Sequence, residues 1–193
     1  GVSRTWQLTN AERPDAILEF DHVALTEDDL LGSATTGSDT TGSDIVHWLV
    51  LRATAAAAVA EAGVTAASLA LTAEYTKTRE QFDRPIATFQ AVGQRAADAY
   101  VDSEAIWLTA WQAAWRIAEG LPADDAVAVA KFWAAEGGQR VVHAAVHLHG
   151  GVGVDRDYPL HRYFLLTKQL ELTLGGATEQ LLRLVAMLAA EPV

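Results

Sequence analysis

Two breaks in an otherwise alanine-rich chain hold the residue types that could do chemistry. The first runs from Tyr75 to Gln90 and sets Arg79 near Phe82 and Pro85. A guanidinium is a planar fork of donors that matches phosphate oxygens, and Pro85 forbids simple continuation of a preceding helix. The second, HLHGGVGVDRDYP from His147 to Pro159, carries Gly150, Gly151 and Gly153, which let a ligand come close to the backbone. Gly175 and Gly176 form a third break just before a helix start, where free N–H groups favour anions. Glycines at such points also serve as ordinary C-caps and turns, so only their combination with Arg79 points to a pyrophosphate-bearing ligand. His143 and His147 are four apart on one helix face, a spacing that can hold a metal. Neither the HEXXH order nor a third ligand accompanies them, so no metal is expected. There is no cysteine, which excludes disulfides, thiolate catalysis and cysteine-ligated metals.

Long helices must position these breaks. From Ile45 to about Thr78 the sequence is rich in alanine, leucine and valine, far beyond the length of an average helix, and reads as a central bundle helix. A second helix is expected from Ala87 or Thr88 to Glu119, closed by Gly120 and Pro122. A third runs from about Asp124 to Leu148, with Gly137 and Gly138 weakening its middle. A fourth spans Pro159 to about Leu172, and a fifth Thr178 to Ala190. Residues 1–32 do not look helical; Ala16 to Ala24 suits a strand contacted on both faces, either edging the helical body or ending a sheet that belongs elsewhere. The expected fold is all-α, an antiparallel helical bundle with a short N-terminal β segment. Its divisions are a β segment over 1–32, a linker loop over 33–44 and the bundle over 45–193.

Composition sets outer bounds. Half of the 193 residues are apolar, enough for one good core, and 25 acidic against 14 basic side chains give a formal charge of −11. That balance argues against non-specific binding of nucleic acid. No uncharged run approaches the ~20 residues a bilayer needs, and no signal peptide is evident, so the expectation is a soluble cytoplasmic protein without a membrane partner. Six tryptophans suit both a core and subunit interfaces.

The order Arg79, Gln81, Phe82, Pro85, Ile86, Phe89 and Gln90, followed by LHGGVGVDRDYPLHRY from Leu148 to Tyr163, resembles the C-terminal helical domain of the acyl-CoA dehydrogenases. Ala16 to Gly32 is similar to the end of that family's middle β domain. The resemblance covers nearly the whole chain. It implies an FAD-dependent oxidoreductase of fatty acid or lipid metabolism that removes hydrogens from adjacent carbons of an acyl-CoA thioester. It further implies that Arg79, Gln81 and Phe82 reach the dinucleotide of a neighbouring subunit, that Gln90 adds a polar contact, and that His147, Leu148, His149, Gly150 and Gly151 form the turn beside its adenosine half. Such sharing of FAD implies a homo- or hetero-oligomer, a dimer of dimers in the family's usual assembly, and leaves room for an electron-transfer partner.

The departures from the family pattern matter as much. The family's most frequent catalytic glutamate lies in an E-G-T turn, which reads Gly175, Gly176, Ala177 here. The alternative position falls near Ala53 and Thr54, again without a carboxylate, and Glu61, Glu171 and Glu179 match neither position without a shift. Asp83 replaces a usual glycine, and Leu165 with Leu166 stand where an Arg-Asp pair is common. The catalytic residue is therefore unassigned. The expected role is that of a subunit or fragment completing an FAD site without its own base. The competing readings are a superfamily oxidase or monooxygenase with another base, and a non-catalytic helical assembly module.

Overall fold

The computed structural model describes residues 1–9, 11–31 and 41–190, which divide into two compact units, Gly1–Arg52 and Ala53–Val193. In the first unit, β1 (Val2–Leu8) and β2 (Pro14–Phe20) pair antiparallel in one register from Val2 opposite Phe20 to Leu8 opposite Pro14. The expected strand over Ala16 to Ala24 thus begins earlier, at Pro14, and ends at Phe20. It has a partner that the sequence reading missed. Large apolar side chains of the hairpin are open to solvent, Trp6 at 66%, Leu8 at 72% and Phe20 at 69%. Most of the expected linker over 33–44 lies outside the described residues. Its last part caps the first long helix: Thr41 and Asp44 exchange side-chain and backbone hydrogen bonds, so α1 (Gly42–Thr78) starts three residues before Ile45.

In the second unit, α1 turns small polar residues inward. Thr54, Glu61, Thr65, Ser68, Thr72 and Thr76 are buried, and the hydroxyls of Thr65 and Thr72 donate to carbonyls one turn back in their own helix. By length and composition α1 could cross a bilayer, but its buried polar face is that of a core helix. It is followed by a two-residue hairpin, β3 (Glu80–Gln81) with β4 (Arg84–Pro85), and then α2 (Gln90–Ala118). Gly120, at φ +65°, turns the chain into α3 (Asp124–His149), which packs against α2, α4 (Leu160–Leu172) and α5 (Ala177–Ala190).

Gly137 and Gly138 do not interrupt α3; they admit neighbours. A Cβ at 137 would press on Ile106 of α2 at 3.3 Å, and one at 138 would lie 2.5 Å from a carboxyl oxygen of Glu61. Fully buried Ile106, Val141 and Val142 fill the α2–α3 core, and Arg140 ties the two helices at the rim with a bidentate pair to Asp102 at 2.7 and 2.8 Å.

Candidate functional site

The hinge after α1 is a tight reversal. Arg79 donates its backbone N–H to Tyr75 and accepts from Ile86 through its own carbonyl, each at 2.8 Å. Phe82 and Asp83 at its tip both have left-handed backbones, φ 56° and 61°. That conformation is one glycine adopts without cost, which accounts for the glycine the family places at 83; aspartate is among the few residues that tolerate it. Phe82 is 86% exposed. The Arg79 side chain is exposed and, among the described residues, its guanidinium has no hydrogen-bond or ion-pair partner. Gln81, whose side-chain amide donates to the Glu80 carbonyl, and Gln90, the first residue of α2, are exposed too.

The second break follows α3. Gly150 has φ 62° and ψ −140°, a backbone closed to side-chain-bearing residues, and a Cβ at Gly150 or Gly151 would meet nothing within 4 Å. The turn is therefore open above. Gly153 is its closed side, where a Cβ would strike Val146 at 2.9 Å.

The structure brings the two breaks together through three aromatic rings. Tyr75, one turn before Arg79, stacks on His149 with centroids 4.2 Å apart, and its hydroxyl donates to the His149 carbonyl at 3.3 Å. His149 Nδ1 lies 2.8 Å from the Ala145 carbonyl, which can only accept, so Nδ1 carries the proton and Nε2 accepts from the Tyr158 hydroxyl at 3.2 Å. Burial lowers the His149 pKa and raises that of Tyr158, which keeps the ring neutral and the phenol protonated. Of the nine expected cofactor contacts, Arg79, Gln81, Phe82, Gln90, His147, Gly150 and Gly151 present exposed surface. Leu148 is buried, and the His149 ring has both nitrogens engaged within the chain. Tyr75 and Tyr158 were not among the expected site residues.

This set fits a dinucleotide. An unpaired guanidinium can fork onto a pyrophosphate, an exposed phenyl ring offers a stacking face, and the glycine turn leaves its backbone accessible.

The turn before α5 differs in kind. Leu174 and Gly175 are both left-handed, at φ 59° and 98°. A Cβ at Gly175 would lie 2.6 Å from the Glu179 carboxyl and 2.8 Å from the Gln180 amide nitrogen. Gln180, only 1% exposed, donates to the carbonyls of Leu174 and Gly175 at 3.1 and 3.3 Å.

The alternative position on α1 holds no carboxylate: Ala53 is exposed and Thr54 buried, while Glu61 is fully enclosed. The Glu61 Oε1 accepts from Thr167 at 2.8 Å and, among the described residues, its Oε2 has no hydrogen-bond partner. Burial pushes its pKa up to about 7, against the pull of the Thr167 bond and the Lys131 charge. Lys131 is equally enclosed and donates to the Glu171 carbonyl at 3.0 Å; burial lowers its pKa.

Residues 41–189 match the family model described as acyl-CoA dehydrogenase, C-terminal domain. Acyl-CoA dehydrogenase FadE27 of Mycobacterium tuberculosis is 55% identical over 153 residues, covering 75% of this chain and 41% of that protein. Among solved structures, the ChsE4-ChsE5 complex from Mycobacterium tuberculosis superposes with a TM-score of 0.90 at 48% identity, covering 100% of this chain and 50% of the other. The Tcur3481-Tcur3483 steroid ACAD G363A variant gives 0.83 at 41%, covering 98% and 49%. The chain spans about half the length of the relatives it matches. Sequence match and superposition agree, and this chain belongs to the acyl-CoA dehydrogenase family through its C-terminal domain.

Proposed function

We propose that this chain is the helical half of an FAD-dependent acyl-CoA dehydrogenase assembly and completes a flavin site without contributing the catalytic base. One observation carries this reading: the Tyr75–His149–Tyr158 clasp joins the Arg79 hinge to the Gly150–Gly151 turn, so an unpaired guanidinium and an open backbone turn belong to one end of the bundle. Arg79 and Gln81 would bind the dinucleotide phosphates, Phe82 would cover a ring face, and Gly150 with Gly151 would admit the adenosine end. Bound there, FAD supplies the hydride acceptor for α,β-dehydrogenation of an acyl-CoA thioester. The α proton needs a carboxylate that neither Gly175 nor Ala53 and Thr54 provide.

A partner subunit is the natural source of that carboxylate, and two of the solved relatives are named as pairs of proteins, ChsE4-ChsE5 and Tcur3481-Tcur3483. Trp107, Trp111 and Trp115, exposed on one face of α2, suit burial in such an assembly, whether a dimer or a dimer of dimers. The hairpin with both faces open suits the end of a β domain completed by further chain. Along α1, Ala53, Ala56 and Ala60 are exposed and would leave room for a bulky acyl group such as the steroid named for one relative; Ala57, buried, serves packing. The setting is cytoplasmic lipid metabolism, with an electron-transfer protein as the outlet for reducing equivalents.

The test is to purify the chain alone and with its co-purifying partner, measuring flavin content and acyl-CoA dehydrogenation. A base-less subunit is colourless and inactive alone and gains both with the partner. A yellow, active chain by itself would favour an oxidase or monooxygenase, and a colourless complex a pure assembly module.

A further inference from the structure

The turn before α5 is not merely short of a carboxylate. It is built so that a side chain at 175 would meet a left-handed backbone and two side-chain ends already in place. Four observations define it. Leu174 and Gly175 are consecutively left-handed. The Gly175 N–H is held by the Leu172 carbonyl at 3.3 Å. The buried Gln180 amide grips the carbonyls of Leu174 and Gly175 from below. The space a Cβ at 175 would enter is already taken by the Glu179 carboxyl and the Gln180 nitrogen. On the other side, the fully buried Lys131 amine fixes the Glu171 carbonyl at the end of α4, so the turn is pinned where it leaves one helix and where it enters the next.

We infer that Gln180 is the positioning residue of the Gly175–Gly176 turn, and that its amide, with the Glu179 carboxyl laid over Gly175, makes any side chain at position 175 costly. The inference rests on the reading above that this turn corresponds to the family's base-bearing turn. Its consequence is functional. A glutamate placed at 175 would have to adopt a left-handed backbone, overlap the Glu179 carboxyl and face its negative charge. A base at 175 would therefore require the Glu179 and Gln180 side chains to give way as well. Besides its backbone groups, the turn carries the Glu179 carboxyl, which is paired with Arg183 at 2.5 Å.

Hydrogen exchange on the full chain tests the positioning role. Gln180→Ala is expected to raise exchange at the amides of Gly175 to Ala177 by about tenfold or more while Val141 and Val142 in α3 keep their protection. Gln180→Glu, which keeps the size but lacks both N–H donors, is expected to behave like the alanine variant. Unchanged exchange at the turn, an equal rise in α3, or protection retained by Gln180→Glu would overturn the assignment. Thermal unfolding tests that cost: Gly175→Ala is expected to lower Tm by several degrees in the natural background and by much less when Glu179 and Gln180 are both alanine. Equal losses in the two backgrounds, or none in the first, would overturn it. None of these measurements reads flavin, so they succeed or fail separately from the cofactor reading.

Discussion

Glu61 gives the chain a measurable dependence on pH. The carboxyl is fully enclosed, with one hydroxyl donor from Thr167 and an Oε2 without a hydrogen-bond partner among the described residues, and it is pushed from an ordinary 4.5 to about 7. Between those values the folded chain keeps a proton that the unfolded chain has lost, so stability falls as pH rises through this window. Its contribution is complete below the unfolded value and gone above the folded one. Moving a carboxyl this far corresponds to about 3 kcal/mol, an order-of-magnitude figure for a buried group near a cation. The charged groups facing it are Lys131 of α3 and Glu171 of α4, and Glu179 of α5 acts on Lys131 in turn. Lys131 has the opposite sign: burial lowers its pKa, so its share of stability rises with pH toward 10.5 on the alkaline side. Urea unfolding of the natural chain and of Glu61→Gln from pH 5 to pH 8 separates the two. The natural chain is expected to lose about 2 to 3 kcal/mol across this range. The glutamine variant is expected to be nearly flat and the more stable of the two at pH 8. If the variant keeps the natural slope, or is the less stable at pH 8, Glu61 is not the group responsible and the reasoning fails.

Two further substitutions probe the packing and the clasp. Gly138→Ala would drive a methyl to 2.5 Å from the Glu61 carboxyl and should destabilise by about 1 to 3 kcal/mol, measured by denaturant unfolding, with relief when Glu61 is also made alanine. Tyr158→Phe removes the donor to His149 Nε2 and should cost about 1 kcal/mol while leaving the stack with Tyr75 in place; no change in stability would mean that hydroxyl is not holding the histidine.

Helix punctuation was readable because its chemistry is local. Gly120 and Pro122 end α2 within a residue or so of the expected place, and α3, α4 and α5 begin within a residue of theirs. The start of α1 was placed three residues late because its cap is a reciprocal pair: Asp44, at the third helical position, accepts from Thr41. β1 sets Val2, Trp6 and Leu8 on one face and Ser3, Thr5 and Gln7 on the other, but Arg4 interrupts the apolar face and weakens the signal. The clasp was beyond reach: Tyr75 and His149 are separated by 74 positions, and only the folded bundle makes them neighbours. Gly137 and Gly138 were read by propensity as weak points, yet tertiary packing decides their role. The enclosure of Glu61 and Lys131 was equally invisible, because a single charge in an alanine-rich helix ordinarily faces water.

In the proposed assembly Arg79 grips a dinucleotide beside the Gly150 turn. The most direct measurement is the FAD dissociation constant of the assembled protein with Arg79 and with Arg79→Ala. Loss of a charge-assisted contact worth about 1.5 to 3 kcal/mol predicts affinity weaker by about ten- to a hundredfold. An unchanged dissociation constant would contradict the account.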